Sequence, residues 1–504
     1  VGSIPITRST FFLRLLGSGM NKLLKYGLLS VGGLLSLFAI FLLVIALTVD
    51  PNSFKPQLVN LVQEKKQRTL TLEGDIKLKL FPRLGLDLGK THLSEHRGVK
   101  DFASLDSVHL YVAWLPLLRK ELFIRKVSVA GVHVNLVRNA DGSTNFDDLI
   151  SKEKSAQIKF DIDGVKVSHS TLNFDDQMNK RKWAISDLEM STGRVKDNTP
   201  THVVLDFKLA GDNPQLATHV VLKSGLLFAL DEQHYVFDAL DVKASGFAAG
   251  LSQLNLLARG AVDVKVKTHE ITFTGAKINL QGNQAANKLD IALDAPRLTF
   301  ANEKVAGAKL TLLTKMERQD GNFAATFILP EVSGNAQQLQ VSLLSVDLSG
   351  TQGDTNIKGQ LLSPLTASGD GQLTLSKLTG KLAVTNPKLL KGDVLLTLAG
   401  SAHADLAKQY LGINLNAKLD DSAIQAKVSM NPRLHFDIAI DQLDVDRYLQ
   451  PSTKATQSTP ESPMDFSALK AFNVDGSIRI AQLKVANLKS SNVRLDVQAD
   501  PAAK

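Results

Sequence analysis

His92 and His96 stand four residues apart, the spacing at which two imidazoles on one helical turn can share a zinc ion. Pro82, Gly85, Gly89 and Gly98 surround them, so no helix is expected to converge the pair, and they read as exposed loop histidines. Asn139-Ala140-Asp141-Gly142 has oxygen donors like those that open a calcium loop. Its glycine falls too early, the bidentate Glu is absent, and Asp-Gly there reads as a tight hairpin turn. Asp441, Asp444 and Asp446 could offer carboxylates to a cation, but they follow an alternating strand and read as a solvated strand-end cluster. No zincin motif, phosphate-binding loop or nucleophile elbow occurs, and Gly17-Ser18-Gly19 has no catalytic context. Cysteine is absent, which removes thiolate ligands, disulfides and cysteine nucleophiles. The residues therefore point away from an enzyme, with no cofactor and no metal expected.

What they do specify is strand. Leu70, Leu72, Ile76, Leu78 and Leu80 share one parity, while Thr71, Glu73, Asp75, Lys77 and Lys79 take the other. Successive strand side chains point to opposite faces, so such a ribbon is apolar on one side. Gly74 marks a bulge or bend in it. Leu84, Leu86 and Leu88 repeat the pattern, then Val108, Leu110 and Val112, then Val132, Val134 and Leu136. Farther on, Leu411, Ile413, Leu415, Ala417 and Leu419 form one face, and Leu434, Phe436, Ile438 and Ile440 another. Gly282-Asn283 and Gly353-Asp354 read as punctuation between strands. No strict repeat of fixed length stands out. Before the first strand, Ser53 can cap a short helix with Pro56 in its first turn and Leu58, Val59, Leu61 and Val62 as its apolar face. Residues 114–120, with Pro116, read as a break in the strands.

Residues 26–49 form one uncharged, mostly apolar run. As a helix, 24 residues at ~1.5 Å each span roughly 36 Å, enough for a ~30 Å hydrocarbon core. The run exceeds a signal-peptide core, and Ala46-Leu47-Thr48 is a poor cleavage site, so an uncleaved single-pass anchor is expected. Arg8, Arg14, Lys22 and Lys25 precede it without any acidic residue, which places the N-terminus in the cytoplasm and the rest across the membrane. Met20 sits just before the run, so residues 1–19 read as an upstream extension and carry no functional weight. The net charge of +8 is spread along the chain, and no basic stripe interleaves with aromatics, so nucleic acid is not an expected partner. Aromatics at 6% with two Trp are too few for the girdles of a transmembrane barrel.

At one strand per ~8–12 residues, residues 158–449 would hold roughly 24–36 strands, and one sheet of them would run on the order of 120–170 Å. Open sheets rarely exceed about 10 strands without curling or splitting. Two solutions stand. Several β-sandwiches would cover the apolar face with protein, and this is the more ordinary one from periodicity alone. A long curled sheet would instead line a groove, which needs an apolar occupant. Next to a membrane that occupant is a lipid acyl chain.

Several blocks, in this order, resemble the AsmA family of Gram-negative envelope proteins. They are Asp50-Pro51-Asn52-Ser53-Phe54-Lys55-Pro56, Leu70-Thr71-Leu72-Glu73-Gly74-Asp75-Ile76, Phe81-Pro82-Arg83-Leu84-Gly85-Leu86 and Leu115-Pro116-Leu117-Leu118-Arg119. Leu136-Val137-Arg138-Asn139-Ala140-Asp141-Gly142 and Asn145-Phe146-Asp147-Asp148-Leu149 come next, and Leu443-Asp444-Val445-Asp446-Arg447-Tyr448-Leu449 and Asp475-Gly476-Ser477-Ile478-Arg479-Ile480 resemble the family again. Lys66-Gln67 stands where the family usually has Thr-Gly, and Phe146 where it usually has Trp.

The resemblance implies a mainly β protein: an N-terminal transmembrane helix followed by a long curled antiparallel β-sheet forming a groove, with few helices. It implies residues 1–25 in the cytoplasm, an anchor at 26–49, an N-terminal domain at 50–157 and an extended β-groove at 158–450. A Pro/Ser/Thr linker at 451–464 and a C-terminal domain beginning at 465–504, short of its full length, complete it. The expected function is support of outer-membrane biogenesis from the inner membrane, by carrying phospholipid along the groove. The alternative is an assembly factor for outer-membrane proteins that carries no lipid. Expected partners are phospholipid acyl chains, the inner membrane and outer-membrane components. The candidate groove lining is Leu70, Leu72, Ile76, Leu78, Leu80, Leu411, Ile413, Leu415, Leu419, Leu434, Phe436, Ile438 and Ile440.

Overall fold

The computed structural model describes residues 50–79, 84–113, 124–149, 161–335, 337–388, 390–431, 433–448 and 474–498. The apolar run 26–49, Leu80, the break at 114–120 and the linker 451–464 lie outside them. No helix among the described residues is long and apolar enough to cross a membrane.

The chain enters through a 3-10 turn, Pro51–Phe54, leading into the α-helix Lys55–Lys66. Asp50, not Ser53, caps the turn: its carboxylate accepts from the Asn52 backbone N–H at 2.9 Å. The Ser53 hydroxyl instead donates to the Asp50 carbonyl. Pro56 sits in the first helical turn, where its missing N–H costs nothing. Of the expected apolar helix face, Val59 and Val62 are half-buried while Leu58 and Leu61 are exposed.

Beyond this helix the described chain is dominated by strand. Twenty-nine strands join one hydrogen-bonded sheet, and a two-stranded ribbon pairs Asp161–Ile162 with Val195–Lys196. The strands are longer than expected. Gln215–Ala229, His234–Ala248, Leu251–Lys265, Glu270–Gln284 and Asn287–Ala301 have 15 residues each. A 15-residue strand spans ~50 Å, so residues 161–444 make fewer, wider rungs than the 8–12-residue spacing suggests. From residue 287 a rung starts every 17 residues, at 287, 304, 321, 338, 355 and 372. Gly353-Asp354 is a turn as expected. Gly282-Asn283 lies inside the strand Glu270–Gln284, opposite Leu289 and Lys288, and punctuates nothing.

Most rungs are broken near the middle. Register shifts fall between Val167 and Ser170, Lys223 and Gly225, Phe237 and Leu240, Arg259 and Ala261, Val341 and Leu344, and Leu375 and Leu378. In the first rung the break is Gly74, at φ +74°, between Leu70–Leu72 and Lys77–Lys79. A bulge bends its strand and strengthens the local twist. Bulges in successive rungs therefore crease the sheet along its length. The extra residue shifts the alternation by one, so Leu339 and Val341 share a face with Leu344, Val346 and Leu348. Bulges leave backbone groups without ladder partners, and buried serines take them up. The Ser170 hydroxyl accepts from the Val132 N–H at 3.1 Å and donates to the Ser168 carbonyl. The Ser224 and Ser363 hydroxyls donate to nearby carbonyls in the same way.

The sheet is not wholly antiparallel. Gly164–Asp176 runs parallel to Ile124–Ala130 and His133–Arg138, and Val474–Val485 runs parallel to Leu434–Asp444. Each parallel joint needs a crossover connection. The sandwich expectation is not met among the described residues: the strands make most of their contacts with ladder neighbours, and the helix meets the sheet at Leu70–Leu72. The one cluster of fully buried apolar residues among the described residues is Val332, Val341, Leu344 and Val346, gathered at the crease.

Candidate functional site: an uncovered apolar face

Paired residues on neighbouring strands share a face. Starting from Leu88, the pairing runs through Val108, Val129, Val167, Met190 and Leu205. It continues through Leu222, Val242, Ala258, Ile278, Leu293 and Leu312. Phe327, Val346, Leu361, Gly380 and Leu398 extend it. Ala417, Ile424, Ile440, Ile480 and Val493 complete it. No polar residue interrupts this row. At ~4.8 Å per strand it is about 100 Å long. Val346 and Leu398 are buried and the other members only half-buried, although all between Val108 and Ile480 have a paired strand on both sides. A covering protein layer would bury them all.

Of the residues expected to line a groove, the eight on the later strands fall on this face or beside it. Ile413 pairs with Val428, which pairs with Phe436, and Leu415 reaches Ile438 through Ala426. Leu411 reaches Leu434 through Met430, Ile440 joins the row above, and Leu419 pairs with Leu396. All eight are half-buried. At the far edge Leu70 pairs with Leu93, Leu72 with Thr91 and Leu78 with Leu86. Ile76 is in no strand; it is buried, and its N–H donates to the Asn52 side chain. Leu80 lies outside the described residues. Sequence reasoning missed the middle of the row, from Met190 to Leu398, because the bulge shifts hide its alternation.

The opposite face carries charge in cross-strand pairs. Arg259 meets Asp241 at 2.8 Å, Lys208 meets Asp187 at 2.9 Å and Arg479 meets Asp437 at 2.7 Å. The hydrogen bond from Arg479 holds the Asp437 carboxyl below the usual carboxylate range, and that from Lys208 does so for Asp187. A depression of about 790 Å³ over the last strands brings Lys427, His435, Asp437, Asp475 and Arg494 together. Hollows on the apolar side are smaller, about 530 Å³ around Leu348, Gly359, Leu382 and Leu396, and about 290 Å³ around Trp183. The polar depression is larger, but acids and bases line it together, with Asp496 beside Arg494.

The residues weighed for chemistry have structural partners. His92 lies in the strand Thr91–Ser94, not in a loop, 2.9 Å from Asp101, while His96 sits in the next turn against the Lys66 carbonyl. Asp141 bonds Ser143 within the expected tight turn, where Gly142 has φ +87°. Asp446 accepts from the Ala486 and Asn487 N–H groups, and Asp444 meets Lys484. Among the described residues no three His, Asp or Glu side chains could hold a metal ion. Chemically, the arrangement offers a long apolar surface backed by a charged one.

A family model described as the AsmA family matches residues 20–471. Protein AsmA of Escherichia coli (strain K12) is 25% identical over 138 residues, 26% of this chain and 22% of that protein. The match therefore spans about a fifth of that relative's length. No solved structure matches the chain.

Proposed function

The chain belongs to the AsmA family, and from that premise we propose that it is a non-enzymatic cell-envelope protein that carries phospholipid along its creased apolar face. One observation carries the reading: the unbroken apolar row from Leu88 to Val493, which no second layer covers among the described residues. Soluble surfaces do not keep contiguous apolar patches of that size unoccupied. The crease turns the face into a groove with two wings of ~20–25 Å each. One leaflet of a bilayer has a hydrocarbon depth of ~15 Å, so an acyl chain fits across a wing with its headgroup at the rim. A continuous row, unlike a closed pocket, lets the tail move strand by strand without entering water.

The apolar run at 26–49 is proposed to hold the chain in the inner membrane, with the sheet in the periplasm, reaching towards the outer membrane. The test is native mass spectrometry of the full chain extracted in mild detergent. Phospholipid retained in several copies per chain is the expected result. Lipid-free protein that also fails to take up added phospholipid would sink the reading and favour an assembly role.

A further inference from the structure

Near its first long strands the apolar face has a defined seat. Leu136, Leu172, Phe174, Trp183, Ile185 and Leu209 line an open hollow of about 290 Å³, and no polar residue is among them. Pairing of Leu136 with Phe174, Phe174 with Trp183 and Trp183 with Gly211 sets all these side chains on one face. A Cβ at position 211 would stand 3.1 Å from the Trp183 ring, so glycine there gives the indole its room. Trp183 remains 41% exposed.

One step outward, two residues or ~7 Å along the strands, the same face changes character. Arg138 pairs with Asp176, and Asp176 with Arg181. Asp176 is occupied: its oxygens accept from the Asn179 backbone N–H at 3.1 Å and the Asn179 side-chain amide at 2.7 Å. Arg138 approaches it only to 3.8 Å, and Arg181 is exposed at the rim. Two guanidinium groups against one carboxylate leave a single positive charge beside the apolar hollow.

We infer that this juxtaposition is a phospholipid seat, with an acyl chain in the hollow under Trp183 and the phosphodiester at Arg181 and Arg138. The inference rests on the lipid-carrying reading above and adds where a lipid is held and by which headgroup chemistry. Guanidinium groups bind phosphate oxygens through paired N–H donors. A tail without phosphate would leave the arginines unused, and a soluble phosphate would leave the hollow empty.

Trp183 reports on its own site, since the chain has only two tryptophans. The full chain carrying Trp114→Phe is titrated in detergent micelles with doxyl-labelled phosphatidylglycerol, doxyl-labelled diacylglycerol or glycerol phosphate. A second reporter is a bimane on Ile413→Cys, unique because the chain has no cysteine. Expected is quenching of Trp183 by the phospholipid at concentrations at least about five-fold below the diacylglycerol, a preference that Arg181→Gln abolishes. Glycerol phosphate should not compete. Bimane quenching without Trp183 quenching would overturn the seat and leave the conduit standing. Absence of quenching at both positions would overturn both. Equal quenching by the two lipids, or an indifferent Arg181→Gln, would overturn the headgroup assignment. Circular dichroism verifies that each variant keeps its strand content.

Discussion

Arg68 and Asp148, 80 residues apart, are joined by two hydrogen bonds, Nε to Oδ2 at 2.7 Å and Nη2 to Oδ1 at 2.6 Å. The Arg68 side chain is fully buried. It also donates to the Ser94 and Asn145 carbonyls and lies 4.4 Å from the Phe102 ring. Lys66 donates to the Asp148 carbonyl. One guanidinium thus fastens the segment after His133–Arg138 onto the first edge of the sheet, and no strand pairing does so there.

Removing one partner of this pair strands a buried charge, so Asp148→Asn should cost about 3–5 kcal/mol locally. The hydrogen bonds from Arg68 hold the Asp148 carboxyl below its usual range. A depressed carboxyl contributes stability above its unfolded pKa, and that stability is lost as pH falls through the lower folded value. Proteolytic protection of residues 139–149 should therefore hold from pH 7 to 5 and fade below about pH 4. In Asp148→Asn it should be weak throughout. Full protection of that variant at pH 7 would refute the assignment.

Ser170→Ala removes the acceptor of the Val132 N–H at the parallel joint. An unpaired buried N–H costs about 1–3 kcal/mol. Amide exchange at Val132 and its neighbours should quicken, while the Ile424–Ile440 region keeps its protection. Unchanged exchange at Val132 would show that water replaces the hydroxyl.

Two lysine substitutions separate open face from core. Ile413 is half-buried, so the lysine of Ile413→Lys can extend its ammonium to solvent. That variant, like Ile438→Lys, should fold and fail to support the outer membrane. Val346 belongs to the buried cluster at the crease. Val346→Lys should cost several kcal/mol and unfold the surrounding rungs. Loss of folding in all three would point to a closed core, and normal envelope function of the first two would count against a conduit.

Tyr448 offers a spectroscopic check on the second parallel joint. Burial, then a hydrogen bond from its hydroxyl to Asp420 at 2.7 Å, push its pKa up to about 12. The folded protein holds this proton more tightly than the unfolded chain. The contact therefore stabilises below pH 10 and is lost as pH rises through about 12. Ultraviolet titration should show a late tyrosine step that belongs to Tyr448. Tyr448→Phe should remove that step alone; its persistence would place the late proton elsewhere.

Local chemistry determined much of this protein. Alternation at Leu411–Leu419 and Leu434–Ile440 specifies strands with one apolar face, because side chains two apart share a side whatever the partner strand. Pro56 and the turn at Asp141-Gly142 were legible for the same reason: their conformations depend on their own backbone. Tertiary structure decided the rest. The 17-residue spacing is invisible in residue types, since the ladder asks only for an apolar side chain at each position and accepts Gly380, Ala417 or Phe327 alike. Ser170, Ser224 and Ser363 look like ordinary polar residues until neighbouring strands leave a backbone group at the bulge for them to bond. Arg68 finds Asp148 only after the strands between them have paired. Likewise, whether Ile413 lies against protein or open space is a property of what the rest of the chain leaves uncovered, and no window of sequence contains it.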